Sequence, residues 1–223
     1  MTPEPVDPAL LERIGGALVS NLRPVRPLPA TGVLVMGLVG AFLIIALAGA
    51  GAMGFFGLRH LTPGAIALIF PPLTGLALLA GAASVNEMIP GSKRPFHPAV
   101  LPAAGCLLMA AIFAAIFPDH RTDSFVLQGT ICLKAGLAWA APAAAGTCLL
   151  LRRGFAVNGG AAGVAIGTVA GLAGVTVLEL HCPNPRMPHM VVWHLAVVPV
   201  AAVTGYIWGR LRESGRRRAT HRP

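Results

Sequence analysis

The chain has 223 residues, of which 55% are hydrophobic and only 11% are charged, and its mean hydropathy is +0.73. These values exclude an ordinary soluble globular domain, in which about a quarter of the residues are charged. We interpret the net charge of +9 as a sign of membrane topology and of contact with anionic lipids; apart from this charge, nothing in the basic tail favours direct nucleic-acid binding.

An N-terminal arm (1–30) is predicted to contain one short amphipathic helix. Asp7 is suited to cap this helix, and Pro8 to occupy its first turn. The proline- and arginine-rich stretch 23–29 then ends the helix and supplies an extended spacer to the membrane. Two interpretations of the helix remain open: it lies on the lipid surface, or it docks onto a cytoplasmic partner. Its apolar residues recur at helical spacing: Leu10, Leu11, Ile14, Leu18 and Leu22.

Six apolar stretches follow the arm, each long enough to cross a hydrocarbon core of about 30 Å, which needs ~20 residues. The predicted fold class is therefore all-α: a polytopic membrane protein with a six-transmembrane-helix bundle in 31–210, followed by a basic tail in 211–223. In the fifth stretch, glycines recur every four residues from Gly159 to Gly171, which predicts a central packing helix. The predicted spans are 31–56, 62–83, 97–117, 128–151, 155–180 and 187–209.

Lysine and arginine are distributed very unequally between the two predicted faces of the membrane. Only Arg59, Arg121 and Arg186 map to one face, and Lys134 lies inside the fourth span. Because cytoplasmic loops carry the excess of basic residues, both termini are expected to be cytoplasmic. The other cations map to the termini and to the second and fourth loops: Arg13, Arg23, Arg26, Lys93, Arg94, Arg152, Arg153, Arg210, Arg212, Arg216, Arg217, Arg218 and Arg222.

The outer loop after the fifth span and the start of the sixth span carry a cluster of soft, ionisable side chains: His181, Cys182, His189 and His194. The only other cysteine expected near this face is Cys132. Thiolate and imidazole are ligands for thiophilic metal ions, although the spacing matches no standard zinc template. The short 152–154 connection makes the fourth and fifth spans antiparallel neighbours, so we expect the two thiols to lie close enough to crosslink.

Three interpretations of Cys132 and Cys182 remain open. They form a structural disulfide, since the outer compartment is oxidising; they form a reversible pair that senses oxidants or soft metals; or they are unrelated buried residues. Cys106 and Cys148 are both predicted to be small core residues. The sequence contains no Walker A loop, no dinucleotide glycine fingerprint, and neither an H-E-x-x-H nor a G-x-S-x-G motif, so we expect the protein not to be an enzyme.

Four motifs give the sequence a resemblance to the NrsF family, whose members are six-span inner-membrane anti-sigma factors that negatively regulate extracytoplasmic-function (ECF) sigma factors. The resemblance extends from about Leu11 to Leu211. Its most specific part is the His-Cys-Pro block with the Trp-His pair that follows it. The motifs are Leu22-Arg23-Pro24-Val25-Arg26-Pro27-Leu28, Gln128-Gly129-x-x-Cys132-Leu133, Leu151-Arg152-Arg153-Gly154, and Leu180-His181-Cys182-Pro183 with Trp193-His194.

The resemblance implies that the arm holds a sigma factor at the bacterial inner membrane and that Cys132 and Cys182 are the sensing thiols. Residues 8–28 would keep the sigma factor from core RNA polymerase, and the helical domain would convert an outer signal into its release. No cofactor is expected to be required; transient soft-metal binding, with His181, His189 and His194 as ligands or supporting groups, stays open. The arm residues expected to bind the partner are Leu10, Leu11, Ile14, Leu18, Leu22, Arg23, Pro24 and Arg26.

The alternative function is a small membrane transporter for a metal or redox substrate, in which the outer histidines and cysteines bind that substrate. A transporter usually places charged groups at mid-membrane. This chain places Glu179 and Lys134 only toward the outer ends of their spans, which favours the regulator.

Overall fold

The computed structural model describes residues 7–20, 28–92 and 96–220, and within these ranges it contains helices and no strand. A 3-10 turn (Gly57–His60) connects the second and third helices. The last helical run begins with α7 (Met187–His189), passes through a π-helical turn (Met190–His194), and continues without a break as α8 (Leu195–Thr220). The preceding helices are α1 (Pro8–Ser20), α2 (Thr31–Met53), α3 (Pro63–Glu87), α4 (Val100–Ile116), α5 (Phe125–Leu150) and α6 (Gly159–His181).

Five of these segments are long and apolar enough to cross a membrane, namely α2, α3, α5, α6 and the run that begins at Met187. The sixth candidate, α4, has 17 residues, at the short end of the range of about 17–25 for a spanning helix. The all-α prediction is confirmed, and the structure supports five to six spans where the sequence predicted six. The last helix, α8, continues through the basic tail to Thr220, where arginine-rich sequence favours helix.

The fifth predicted span, α6, lies at the centre of the bundle. Every residue from Gly159 to Leu180 is buried, and the helix packs against α8, α5, α3 and α2. Its glycines allow close approach to α8: a Cβ at Gly163 would lie 2.6 Å from the carbonyl carbon of Gly205, well inside van der Waals contact. The predicted central packing helix is therefore confirmed.

The outer surface of the bundle is as apolar as its interior. Leu107 on α4 is 73% exposed and Ile44 on α2 is 69% exposed, as expected for side chains that face lipid. Buried hydroxyls are satisfied within their own helices; Thr168, for example, donates to the carbonyl of Val164 at 2.8 Å. In a medium without water, this internal pairing is required of polar groups.

The two ends of the bundle differ in chemistry. We call the end where α6 begins the arginine end; there the backbone N–H of Gly159 donates to Glu213 of α8 at 3.2 Å, and Arg152 and Arg153 lie in the adjacent connection. We call the end where α6 terminates at His181 the cysteine end. Residues 28–30, which lead into α2, lie at the arginine end, so this connection and the pair Cys132 and Cys182 are at opposite ends of the bundle.

Candidate functional site

The cysteine end brings the two cysteines of interest into contact. Cys132 lies near the start of α5 and is half-buried, whereas Cys182 directly follows α6 and is buried. The backbone N–H of Cys182 still donates to the carbonyl of Leu178 at 2.7 Å, which fixes the thiol at the helix terminus. The two sulfurs are 3.7 Å apart, so the expected proximity is found, while their role as a sensing pair stays a prediction.

Two histidines complete a compact group with these thiols. Nε2 of His189 lies 3.6 Å from the sulfur of Cys182, and the rings of His189 and His194 meet edge to face with centroids 5.0 Å apart. One ligand atom from each of the four residues lies within 4.8 Å of all the others. Both imidazoles are almost completely shielded, at 2% and 0% exposure. We call Cys132, Cys182, His189 and His194 the thiol–imidazole cluster.

The π-helical turn explains how both histidines can face the same thiols. Residues five apart in an α-helix point about 140° apart around the axis, so His189 and His194 would diverge in a regular helix. In the turn Met190–His194, the N–H of Leu195 instead donates to the carbonyl of Met190, an i to i+5 bond that widens the helix. Such widening brings positions five apart nearly into line, and single π turns are frequent at functional sites.

A buried carboxylate orients one of the histidines. Nδ1 of His194 donates to Oε1 of Glu179 at 2.7 Å, and both side chains are fully shielded from solvent. This bond assigns the proton of the ring to Nδ1 and leaves Nε2 as the nitrogen available to a ligand. Among the described residues, Nε2 of His194 has no hydrogen-bond partner.

His181, a candidate from the sequence, is not part of the cluster. Its Nδ1 donates to the carbonyl of Gly54 at 3.0 Å, and its ring meets Phe56 at 5.8 Å. His181 therefore ties the connection between α2 and α3 to the end of α6. Gly54 has a positive φ of 96°, a conformation that favours glycine, which suits it to this tight connection.

The Gln-Gly-x-x-Cys motif of α5 is explained residue by residue. Gln128 accepts a hydrogen bond from the side-chain amide of Asn184 at 2.9 Å. Gly129 leaves room for Trp193, because a Cβ there would overlap the indole ring. Cys132 then meets Cys182 one turn further along α5. The motif is therefore the surface of α5 against which the α6–α7 loop and the π-helical turn are held.

An ionic tie, which sequence reasoning missed, holds the same loop from the side. Arg186 donates from Nη1 to the carbonyl of Asp123 at 2.8 Å and forms salt bridges with Asp123 and Asp119 at 3.4 and 3.8 Å. The N–H of Met187 donates to the carbonyl of Asp119 at 2.8 Å. A bond from the backbone N–H of Arg121, above all, holds the pKa of the Asp119 carboxyl below its ordinary value, helped by the charges of Arg121 and Arg186. Opposite charges in the two loops at the cysteine end were the available signal.

The other two cysteines lie apart from the cluster. Cys106 is half-buried in α4, with its sulfur 3.8 Å from the carbonyl of Leu195. Cys148 is exposed on α5, so the prediction that it is a small core residue is wrong. Side chains facing lipid and side chains facing the core are equally apolar, and hydropathy alone does not separate them.

The N-terminal helix presents its apolar side chains to the outside. Asp7 accepts a hydrogen bond from the N–H of Ala9 at 2.9 Å, as expected for a cap. Leu10, Leu11 and Ile14 are 44%, 56% and 47% exposed, and within the described chain α1 shares no extended interface with another helix. The side chain of Leu18, and the residues Leu22, Arg23, Pro24 and Arg26, lie outside the described residues.

The fold and the cluster define a class: an all-helical protein with five to six apolar helices of membrane-spanning length and a shielded thiol–imidazole cluster at one end. A comparison with protein families identifies the family within that class. The family model described as "NrsF: Negative regulator of sigma F" matches residues 18–212, which is most of the chain, and the protein belongs to the NrsF family. Comparisons with curated proteins and with solved structures give no match.

Proposed function

We propose that this protein is an inner-membrane anti-sigma factor that sequesters an ECF sigma factor through its N-terminal arm and releases it when the outer thiols change state. The family provides the regulated partner, a sigma factor. The observation that carries the rest is the 3.7 Å separation of the Cys132 and Cys182 sulfurs at the end of the bundle opposite the arm. In this proposal, a chemical change at the cysteine end alters the binding of the sigma factor by the arm.

The proposed orientation places the arginine end in the cytoplasm of a bacterium and the cysteine end outside it. Among described residues, Arg152, Arg153 and the arginines of α8 support this orientation by the positive-inside rule. The cysteines then face the oxidising compartment, and the basic residues of α8 contact the anionic lipids of the inner leaflet.

The arm supports the docking part of the proposal. An isolated helix as short as the 13-residue α1 is marginal in water. Burial of its apolar face against a partner would stabilise it. Leu10, Leu11 and Ile14 form this face and are exposed. A groove on a sigma factor that accepted the face would give an amphipathic helix-in-groove complex.

The cluster supports the signalling part of the proposal. A disulfide needs the sulfurs at about 2.05 Å, so oxidation of Cys132 and Cys182 would draw them together by about 1.7 Å from their present 3.7 Å. Both thiols would lose their protons, and two electrons would pass to an external oxidant. The new S–S bond would tie the start of α5 to the end of α6.

The centrally placed α6 is suited to pass this shift to the arginine end. Its glycines lie against the backbone of α8, with Gly163 facing Gly205 and Gly167 facing Ala201. Close-packed interfaces of this kind tend to have discrete arrangements rather than deforming continuously. We propose that a shift of α6 against α8 changes how the arm is presented to the sigma factor.

The transporter alternative has less support. The described interior of α6 offers Thr168 and Thr176 as polar side chains between its glycine-rich start and Glu179, and both hydroxyls donate to carbonyls of their own helix. A substrate pathway through the bundle would need polar groups turned toward it.

We also propose that the protein is not an enzyme.

A single substitution in the arm tests sequestration. Leu11→Asp should abolish co-purification of the sigma factor with the full-length, detergent-solubilised protein, because burying a carboxylate in an apolar groove costs several kcal/mol. Gly16→Asp is the matched control: it adds the same charge to α1 on the other side of the helix, where an added Cβ meets nothing within 4 Å, and it should retain the sigma factor. Retention by Leu11→Asp, or equal loss in both variants, contradicts docking through this face.

A further inference from the structure

Two distances in the thiol–imidazole cluster match the edges of a metal-ion tetrahedron, and all four ligand atoms lie within 4.8 Å of one another. With Zn–S bonds of about 2.3 Å and Zn–N bonds of about 2.05 Å, tetrahedral geometry places two sulfur ligands about 3.8 Å apart and sulfur and nitrogen about 3.6 Å apart. The Cys132 and Cys182 sulfurs are 3.7 Å apart, and the sulfur of Cys182 is 3.6 Å from Nε2 of His189.

The fourth ligand has the outer support that metal-bound histidines normally have. A metal-bound imidazole usually donates its second N–H to a carboxylate, which fixes the ring and raises the basicity of the ligand nitrogen. His194 makes this bond to Glu179 at 2.7 Å with both side chains fully shielded. Nε2 of His194 is buried and, in the described part of the chain, has no hydrogen-bond partner. A polar atom left in this state is costly, and a bound metal ion would remove that cost.

From these contacts we infer that Cys132, Cys182, His189 and His194 form a tetrahedral site for one thiophilic divalent cation of the zinc class, with Glu179 as a positioning residue for His194. Two thiolates offset the charge of a divalent cation and the two imidazoles are neutral, so the ion and its four ligands together carry no net charge, which suits a site at the margin of a membrane. Binding releases the two thiol protons. The soft donor set selects Zn²⁺ or Cd²⁺ over Mg²⁺ and Ca²⁺, which prefer oxygen ligands.

The π-helical turn supports the proposed metal site, because it places both histidine ligands. It interrupts a run that would otherwise continue as α-helix from Met187 to Thr220, at a cost in backbone hydrogen bonding. Its effect is to align His189 and His194 toward the same pair of sulfurs, which a regular helix would not do. His181 is nearer in sequence to Cys182, yet it bonds to Gly54 instead, so the ligand set is selective.

Cobalt(II) is a suitable probe, because a tetrahedral cobalt site with thiolate ligands gives intense visible d–d bands and near-ultraviolet charge-transfer bands. Titrating Co²⁺ into reduced, full-length protein in detergent should give these bands at one ion per chain. Zn²⁺ or Cd²⁺ should bleach them, whereas Mg²⁺ should leave them unchanged. His189→Gln and His194→Gln should each lose the tetrahedral spectrum, and the matched control His181→Gln should keep it.

Glu179→Gln separates positioning from ligation. Loss of an outer-shell partner typically weakens metal affinity about 10–100-fold, so this variant should show the same cobalt spectrum with affinity lowered to that extent. An unchanged affinity would overturn the positioning role. A wild-type protein without the tetrahedral spectrum, or a spectrum that survives in both His189→Gln and His194→Gln, would overturn the four-ligand site.

Thiol protection provides a measurement that needs no variant. Saturating Zn²⁺ should slow the reaction of Cys132 and Cys182 with a thiol reagent and leave Cys106 and Cys148 unaffected; equal rates with and without Zn²⁺ would contradict the site. None of these measurements involves the sigma factor. The link between the site and sigma release rests on the proposed function, so a protein that binds the ion but does not release its partner would refute that link and leave the site intact.

Discussion

Replacing Gly163 with alanine tests the close approach of α6 and α8 most directly. The added Cβ would lie 2.6 Å from the carbonyl carbon of Gly205 and 3.2 Å from the backbone nitrogen of Tyr206. The nearest atom is the carbonyl oxygen of Gly205, which the added Cβ would overlap. Ordinary contacts between heavy atoms lie at about 3.5 Å, so the two backbones must separate by more than an ångström. Overpacking of this size typically costs about 1–3 kcal/mol, and the greater helix propensity of alanine returns up to about 1 kcal/mol. Because the overlapped atoms belong to the backbone and cannot rotate away, the upper end of this cost applies, and we expect Gly163→Ala to lower the free energy of unfolding by about 2–3 kcal/mol.

Unfolding in mixed detergent micelles with increasing sodium dodecyl sulfate, followed by circular dichroism, measures this difference. Gly146→Ala on α5 is the matched control, since an added Cβ there meets nothing within 4 Å; its stability should be unchanged or slightly raised. If the two variants unfold at the same detergent fraction, the backbone contact between α6 and α8 is not as close as described. The role of α6 as a tightly packed transmitter would then fail with it.

Three further outcomes are expected. A periplasm-active reporter fused after Arg121 should be active and one fused at residue 92 inactive; the reverse pattern would contradict the orientation of the cysteines. Replacing Cys132, Cys182 or both with serine should fix sigma release in one state, measured by sigma-dependent reporter transcription, and a double variant that still responds normally would exclude the thiols as the sensor. The low pKa of Asp119 means that its carboxylate stabilises the fold above the ordinary carboxyl pKa of about 3.9, and that this contribution is lost as the pH falls through the lowered pKa of the folded protein. The thermal midpoints of wild type and Asp119→Asn should therefore differ by a constant amount from pH 5 to 8 and converge only below about pH 4.

The helices themselves were predictable because the bilayer imposes a length and a composition on each span. The predicted fifth span 155–180 corresponds to α6 at Gly159–His181, and the four-residue glycine repeat correctly indicated the central helix. Which side of each helix faces the core and which faces lipid was not predictable in the same way. Hydrophobicity distinguishes inside from outside only when the outside is water, so Cys148 was assigned to the core although it is exposed.

The composition of the cluster could be predicted only in part. The short 152–154 connection made the meeting of Cys132 and Cys182 predictable. The choice of His189 and His194 over His181 was not predictable, because it depends on a π-helical turn. No residue pattern in Met190–His194 predicts that turn. The carboxylate of Glu179 was visible in the sequence as a charge near a helix end, but its bond to His194 spans 15 residues and arises only once α6 and the last helical run pack together.

The enclosure of α6 restricts the kinds of stimulus that can act on it. With the helix buried from Gly159 to Leu180, no lipid chain touches it. Changes in bilayer thickness, fluidity or lateral tension must therefore act first on the surrounding helices. A chemical event at Cys182, in contrast, acts directly on one end of the helix. The architecture thus separates its central element from direct contact with lipid, while one end of that element joins the thiol–imidazole cluster.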